Sequence, residues 1–137
     1  MDLNKRRILI VDDNEIDSFI LERVLDDTLF DCQIQIEEWA EDGLAYLQKV
    51  NLPDLPEVIF LDINMPAMSG FDFMRKFAEL PDAIRNYCKV VMVTTSNHPD
   101  DRERAMRDPL IFGYLLKPVS VEKLNEILKS ISPAKTA

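Results

Sequence analysis

The stretch VIFLDINMPAMSG, residues 58–70, decides the fold because it places a single acid where an apolar strand gives way to a turn. Four apolar residues in succession are typical of a strand covered on both faces, and Pro66 and Gly70 break the regular structure that follows. Asp62 is therefore predicted to lie at the carboxyl end of a buried parallel strand, where open α/β sheets form their binding crevice. An isolated aspartate after a strand is more often a turn cap, so its interpretation depends on the other strand ends.

Apolar segments of strand length recur along the chain, and a helix signal follows each of them. The further strands are predicted at 7–11, 33–39, 89–94 and 111–116. Five strands alternating with five helices predict parallel strands joined by right-handed crossovers. The predicted fold class is therefore α/β, with a doubly wound five-stranded sheet covered by helices on both faces.

The helices are marked by caps at their starts and by apolar stripes along their length. Their predicted starts are Asn14, 41–43, Ser69, Pro99 and Ser120. The residues predicted to face the sheet are Ile16, Ile20, Leu21, Val24 and Leu25 in the first helix and Phe71, Met74, Phe77 and Ala78 in the third.

Length and charge limit the possible functions. The 137 residues predict one domain over 1–137, with a core at about 7–131, a frayed tail at 132–137 and no covalent output domain. A formal net charge of -9 disfavours binding to nucleic acid. Cys32 and Cys88 form no CxxC pair, which predicts free thiols in a reducing compartment. The first apolar run is too short for a signal peptide or a membrane span, so we expect a soluble, cytoplasmic protein.

Polar groups follow four of the five predicted strands, and parallel strands bring their carboxyl ends to one edge of the sheet. These groups are Asp12 and Asp13, Asp62, Thr94 and Thr95, and Lys117. Three carboxylates at one edge repel one another and raise each other's pKa unless a cation lies between them. Mg²⁺ is the natural candidate because it binds a few protein oxygens and leaves positions for a phosphate. With a lysine and a hydroxyl nearby, the pattern predicts a phosphoryl-transfer site.

Each of these groups also has an ordinary interpretation. Asp12 and Asp13 could simply favour a helix N-terminus, and Thr94 could be a common strand threonine. Lys117 is harder to explain in that way, because a lysine stem at the end of an apolar strand needs a partner. The ordinary interpretations would all have to hold together, which favours the phosphoryl site.

Five segments, in this order and spacing, resemble the receiver domain of two-component response regulators. They are ILIVDD at 8–13, WAEDGLAYL at 39–47, the stretch at 58–70, VVMVTTS at 90–96 and GYLLKP at 113–118. The resemblance covers about 7–131 and implies a flavodoxin-like fold with strand order 2-1-3-4-5. It also implies that the Lys117–Pro118 peptide bond is cis.

The resemblance implies that Asp62 is the phosphoacceptor for a phosphohistidine on a sensor histidine kinase or histidine phosphotransfer protein. Asp13 and Asp62 would then bind Mg²⁺ directly, with the backbone carbonyl of Asn64 as a further ligand and Asp12 acting through a metal-bound water. Lys117 would pair with Asp62 and then with the phosphoryl oxygens.

The resemblance further implies a switch. Thr94 would move its hydroxyl onto the phosphoryl group, and Tyr114 would turn inward into the space it leaves. That movement would change the surface formed by the helix from Pro99, the last strand and the last helix, where a downstream protein target would bind. Thr95 stands where the family often has a smaller residue, which suggests slower dephosphorylation, and Asn64 lies where side chains tune the phosphoryl lifetime.

Three functions therefore remain open. The first is a stand-alone receiver, monomeric or dimerising on phosphorylation, with no enzymatic activity beyond its own phosphorylation and dephosphorylation. The second is an aspartyl-phosphate phosphatase of the haloacid dehalogenase type, although that class carries its DxD pattern on the first strand. The third is a receiver-like scaffold that binds partners without phosphorylation.

Overall fold

The predicted parallel sheet is present in a computed structural model, which describes residues 5–131. Its strands are β1 (Lys5–Val11), β2 (Asp31–Glu37), β3 (Val58–Leu61), β4 (Lys89–Thr94) and β5 (Ile111–Leu116). All adjacent strands pair in parallel, in the order β2-β1-β3-β4-β5. The predicted fold class and strand order are therefore confirmed. The segment predicted to fray, 132–137, lies outside the described residues.

Six helices connect or follow the strands in this part of the chain, where five were predicted. They are α1 (Glu15–Asp26), α2 (Ala40–Lys49), α3 (Gly70–Phe77), α4 (Asp82–Tyr87), α5 (Pro99–Arg107) and α6 (Val121–Ser130). The unpredicted one, α4, has six residues, no side-chain cap and no fully buried residue. Only Ile84 and Tyr87 pack against the core, and both are partly buried. None of the helices within 5–131 combines the length and the apolar character that crossing a bilayer requires.

Side-chain caps begin three helices where the sequence predicted them. Asn14 accepts a hydrogen bond from the backbone N–H of Asp17, and Ser120 accepts one from that of Lys123. Ser69 forms a capping box with Asp72, in which each side chain accepts from the other residue's backbone N–H. These bonds satisfy N–H groups that a helix start leaves without a partner. Trp39, by contrast, precedes α2 without a side-chain cap and is 51% exposed.

The core lies on both faces of the sheet, which explains the unbroken apolar sequence of β3. Ile59 and Leu61 pack into the cluster that includes α2 and α3. Val58 and Phe60 pack into the opposite cluster, which includes α1 and α6. Burying a side chain of this size contributes about 1.5–3 kcal/mol. The strand that carries Asp62 is thus held from both sides.

Two apolar residues predicted to face the sheet from α1 instead face solvent. Leu21 and Leu25 are buried, but Ile16 is 71% exposed and Ile20 is 45% exposed. Both exposed residues lie in the first half of α1, beside the edge of the sheet, where there is less apolar surface for a helix to cover. Ala78, predicted to face inward, is also exposed, because it lies beyond the last turn of α3.

The loop from β3 to α3 returns very close to the main chain that follows β3. The backbone N–H of Gly70 donates to the carbonyl oxygen of Ile63 over 2.8 Å. A Cβ at position 70 would lie 2.5 Å from the carbonyl oxygen of Asp62 and 2.8 Å from Cα of Ile63. Both are backbone atoms, so only glycine fits here. Ala67 in the same loop adopts a left-handed conformation with φ of 66°.

We expect Gly70→Ala to lower the free energy of unfolding by about 2–3 kcal/mol, because the added methyl group must displace backbone next to Asp62. The matched control is Gly113→Ala, whose Cβ would meet only the end of the flexible Ile127 side chain, at 3.0 Å. We expect the control to lose less than about 1 kcal/mol. Urea unfolding of the three proteins measures the difference, and equal losses would contradict the proposed backbone contact.

Candidate functional site

The residues predicted to form a site come together at the carboxyl edge of the sheet. Asp12 directly follows β1, Asp62 follows β3, Thr94 ends β4 and Lys117 follows β5. The backbone also connects these ends, because the N–H of Asp62 donates to the carbonyl of Val11 and that of Lys117 to the carbonyl of Thr94. Parallel pairing of four adjacent strands thus brings together side chains more than a hundred positions apart.

Three carboxylates form a compact cluster at this edge. Asp12, Asp13 and Asp62 each offer an oxygen, and these oxygens all lie within 4.8 Å of one another. Asp12 and Asp62 are buried, whereas Asp13 is exposed at the mouth of the site. Carboxylate oxygens are the donors that hard divalent cations prefer, and an open side leaves room for further ligands. The cluster is therefore one that could hold a divalent metal ion.

Lys117 neutralises part of this charge through three ion pairs. Its Nζ donates to Asp12 Oδ2 at 2.7 Å, to Asp17 Oδ2 at 2.9 Å and to Asp62 Oδ2 at 3.4 Å. Burial of Lys117 disfavours its charged form, but the hydrogen bonds to Asp12 and Asp17 and the charge of Asp62 outweigh burial and raise its pKa. The side chain is therefore a permanent cation at neutral pH.

Asp17 was not predicted as a site residue. It lies four positions after Asp13, which is about one turn into a helix that starts at the site. That spacing was a usable signal, because it points a second acid of α1 toward the same edge of the sheet. Whether it reaches Lys117 depends on the position of α1 relative to β5, which the spacing does not give.

The buried carboxyl group of Asp62 is mostly ionised at neutral pH. Its pKa is raised to about 6, because burial and the charge of Asp12 raise the pKa by more than the charge of Lys117 lowers it. The backbone N–H of Asn64 donates to Asp62 Oδ1 over 3.4 Å, which also lowers the pKa. One carboxylate oxygen therefore faces Lys117 and the other faces the loop that leads to α3.

Thr94 and Tyr114 are connected through the backbone of Ser96. The buried Thr94 hydroxyl accepts from the N–H of Ser96 over 3.2 Å, and the Tyr114 hydroxyl donates to the carbonyl of Ser96 over 2.9 Å. The Ser96 hydroxyl in turn donates to Asp101 in α5 over 2.6 Å. Ser96 was also missed, because its contacts with Thr94 and Tyr114 are made by main-chain atoms, which every residue has. Thr95, which lies between Thr94 and Ser96 in the sequence, is exposed.

An apolar groove of about 200 Å³ leads along α1 to the ammonium group of Lys117. Ile20, Leu21 and Val24 line it on the α1 side, and Pro118 lines the opposite side. The Lys117–Pro118 peptide bond is cis, as predicted. The exposed side chains of Ile16 and Phe19 lie on the same helix. The surface around the site is thus apolar on one side and acidic at its centre.

Comparisons with known proteins identify the family of the chain. The family model described as the response regulator receiver domain matches residues 8–129. Protein PilH of Pseudomonas aeruginosa is 30% identical over 91% of this chain and 96% of its own length. Response regulator Rcp1 of Synechocystis is 33% identical over 90% of this chain and 84% of its own.

Solved structures of response regulators have a similar fold. A two-component response regulator from Cytophaga hutchinsonii superposes with a TM-score of 0.87, at 22% identity, over 95% of this chain and 98% of that one. The Mn²⁺-bound form of Rcp1 superposes with a TM-score of 0.69, at 27% identity, over 94% and 99%. Some relatives are longer: the chain spans 7% of a hybrid histidine kinase of Dictyostelium discoideum and 47% of a response regulatory protein of Shewanella oneidensis.

We expect the free energy of unfolding of Asp62→Asn to be about 1–2 kcal/mol higher than that of the wild type at pH 7.5 in the presence of a chelator. Because the pKa of Asp62 is raised in the folded protein, its contribution to stability is full below about pH 4 and is lost as the pH rises through 6. The advantage of the neutral amide should therefore disappear below pH 4. Urea unfolding between about pH 3.5 and 7.5 measures the difference in the free energy of unfolding.

The control for that experiment is Asp13→Asn, which removes a charge from an exposed member of the same cluster. We expect the stability of this variant to differ much less from the wild type over the same pH range. A gain for Asp62→Asn that did not change with pH would contradict a penalty for ionising the buried carboxyl group.

Proposed function

The chain belongs to the response regulator receiver family, and from that premise we propose that it is a phosphorylation-controlled switch with Asp62 as the phosphoacceptor. Members of this family are in general signalling proteins of two-component systems rather than enzymes. The observation that carries the proposal is the contact of Lys117 with the carboxylates of Asp12 and Asp62 at one sheet edge. We further propose that the chain acts as a single receiver domain in the cytoplasm.

The proposed reaction is transfer of a phosphoryl group from histidine to aspartate. An oxygen of Asp62 attacks the phosphorus atom, the bond from phosphorus to the imidazole nitrogen breaks, and the electron pair returns to the histidine of the donor. Lys117 lies within 3.4 Å of the attacking carboxylate, where it can neutralise a phosphoryl oxygen. The pKa of Asp62, at about 6, leaves its carboxylate ionised and ready to attack at neutral pH.

The acidic cluster supports Mg²⁺ as the cofactor. We assign direct binding to Asp13 and Asp62, a further ligand to the backbone carbonyl of Asn64, and a water-mediated contact to Asp12. When bound, the ion would neutralise charge on the phosphoryl oxygens. The compact set of three carboxylates supports this assignment, and so does the existence of a Mn²⁺-bound form of the similar protein Rcp1.

The groove beside α1 is the proposed docking site for the donor, a sensor histidine kinase or a histidine phosphotransfer protein. A donor histidine must come within bonding distance of Asp62, so its helix must lie against the mouth of the site. The groove is lined by Lys117 and by apolar side chains of α1, and Ile20 among them is also exposed to solvent. Such a patch favours an amphipathic helix of a partner.

The proposed output begins at Thr94. When its hydroxyl turns to the phosphoryl group, the N–H of Ser96 loses its acceptor and Tyr114 can move inward. Because Ser96 also contacts Asp101, this change reaches α5. The surface formed by α5, β5 and α6, which exposes Met106, Phe112 and Leu116, would then bind a downstream protein or a second copy of the chain.

The first test is the intact mass of the protein after incubation with a small acyl phosphate and Mg²⁺. We expect one phosphoryl adduct that is lost in Asp62→Asn and in the presence of a chelator. Should none form, the reaction is repeated with a phosphorylated histidine kinase. Failure of both donors would contradict the proposal and favour a scaffold that binds without phosphorylation, whereas continuous release of phosphate from small esters would favour a phosphatase.

A second test concerns the lifetime of the adduct. Thr95 is exposed next to Thr94 and Lys117, so its side chain narrows the approach of water to the phosphorus atom. We expect Thr95→Ala to shorten the half-life of the phosphoryl group by about threefold or more, which corresponds to a barrier lower by roughly 0.7 kcal/mol. Thr95→Val keeps the bulk and should keep the half-life. An unchanged half-life in Thr95→Ala would contradict the shielding.

A further inference from the structure

Asp17 contacts Lys117 although it belongs neither to a strand end nor to the acidic cluster. Its Oδ2 lies 2.9 Å from Nζ of Lys117, closer than the 3.4 Å that separates this nitrogen from Asp62. Lys117 is nearly buried and Asp17 is 30% exposed, so water weakens this pair only in part. The ammonium group is therefore held more closely by Asp12 and α1 than by the phosphoacceptor.

The location of Asp17 is fixed by the first turn of α1. Its backbone N–H donates to the Asn14 side chain over 3.0 Å, and the N–H of Asn14 donates to Asp12 Oδ1 over 2.9 Å. These two bonds connect the end of β1 to the start of the helix. Asp12 thus uses one oxygen for the backbone and the other for Lys117.

An ammonium group has three N–H donors, and Lys117 distributes them over three carboxylates. If Asp17 were neutral, the remaining ion-pair partners of Lys117 would be Asp12 and Asp62. Those carboxylates are also the ones that would neutralise a divalent cation, so the ammonium group and the cation compete for them.

We propose that Asp17 is a positioning residue, which draws the ammonium group of Lys117 toward α1 and so keeps Asp62 available to a divalent cation. This inference rests on the metal site of the proposed function. Asp17 need not touch the ion for this effect, because it acts through the place that Lys117 occupies.

The test measures Mg²⁺ binding by calorimetry on the unphosphorylated protein. We expect Asp17→Asn to raise the Mg²⁺ dissociation constant about five- to tenfold, since one charge is lost and Lys117 moves onto the cation's ligands. The matched control is Glu15→Gln, which removes the same charge from an exposed side chain in the same first turn of α1. We expect less than about a twofold change there.

Combination with Lys117→Met separates positioning from simple charge or folding effects. Without an ammonium group to position, Asp17→Asn should raise the dissociation constant no more than Glu15→Gln does. A merely structural role of Asp17 would give the same loss in both backgrounds. Asp17→Glu, which keeps the charge, should recover most of the affinity, and thermal unfolding by circular dichroism verifies that each variant folds.

The outcomes for this inference and for the proposed function are distinct. Equal effects of Asp17→Asn and Glu15→Gln, or an effect that survives in Lys117→Met, would overturn the positioning role and leave the proposed function intact. A wild-type protein that neither binds Mg²⁺ nor accepts a phosphoryl group would overturn the proposed function itself.

Discussion

The mutual repulsion of carboxylates at one edge of the sheet is the constraint on which the site depends. Asp12 and Asp62 are both buried there, and burying like charges together is unfavourable unless a cation compensates them. Lys117 provides that charge from the end of β5, held in place by a backbone bond to Thr94. The negative charge of the site is thus only partly neutralised, because one ammonium group is shared among three carboxylates.

The rest of the fold holds these mutually repelling carboxylates close together. β3 packs against the core on both faces. The strand therefore cannot move to increase the distance between Asp62 and Asp12. The loop after Asp62 packs main chain against main chain at Gly70, which fixes the direction in which the aspartate leaves the strand. On the other side, Ser96 ties Thr94 and Tyr114 to α5. Ser96 therefore connects the end of β4 to both β5 and α5.

Much of this could be predicted from the sequence, for identifiable reasons. Apolar runs that end in polar residues locate the strand ends, and parallel pairing requires those ends to meet, so Asp12, Asp62, Thr94 and Lys117 could be grouped in advance. The contacts of Asp17 and Ser96 could not, because they depend on how α1 and α5 lie against the sheet. Ile16 and Ile20 were wrongly predicted to be buried, because the periodic apolar stripe of a helix does not show where the sheet beneath it ends. The helix α4 has only six residues, too few for its apolar pair to be recognised as a stripe.

The exposure of the first half of α1 has a consequence for how such a protein diverges after gene duplication. Ile16 and Phe19 contribute little to the core, so substitutions there cost little stability. If the proposed donor docks on α1, such substitutions would change partner choice. The chemistry at Lys117 and Asp62 lies deeper and can stay unchanged while recognition drifts. Asp17 limits this freedom, because it belongs to the same helix and also holds Lys117. Duplicated copies of this chain would therefore acquire different partners first through substitutions at exposed positions of α1 other than Asp17.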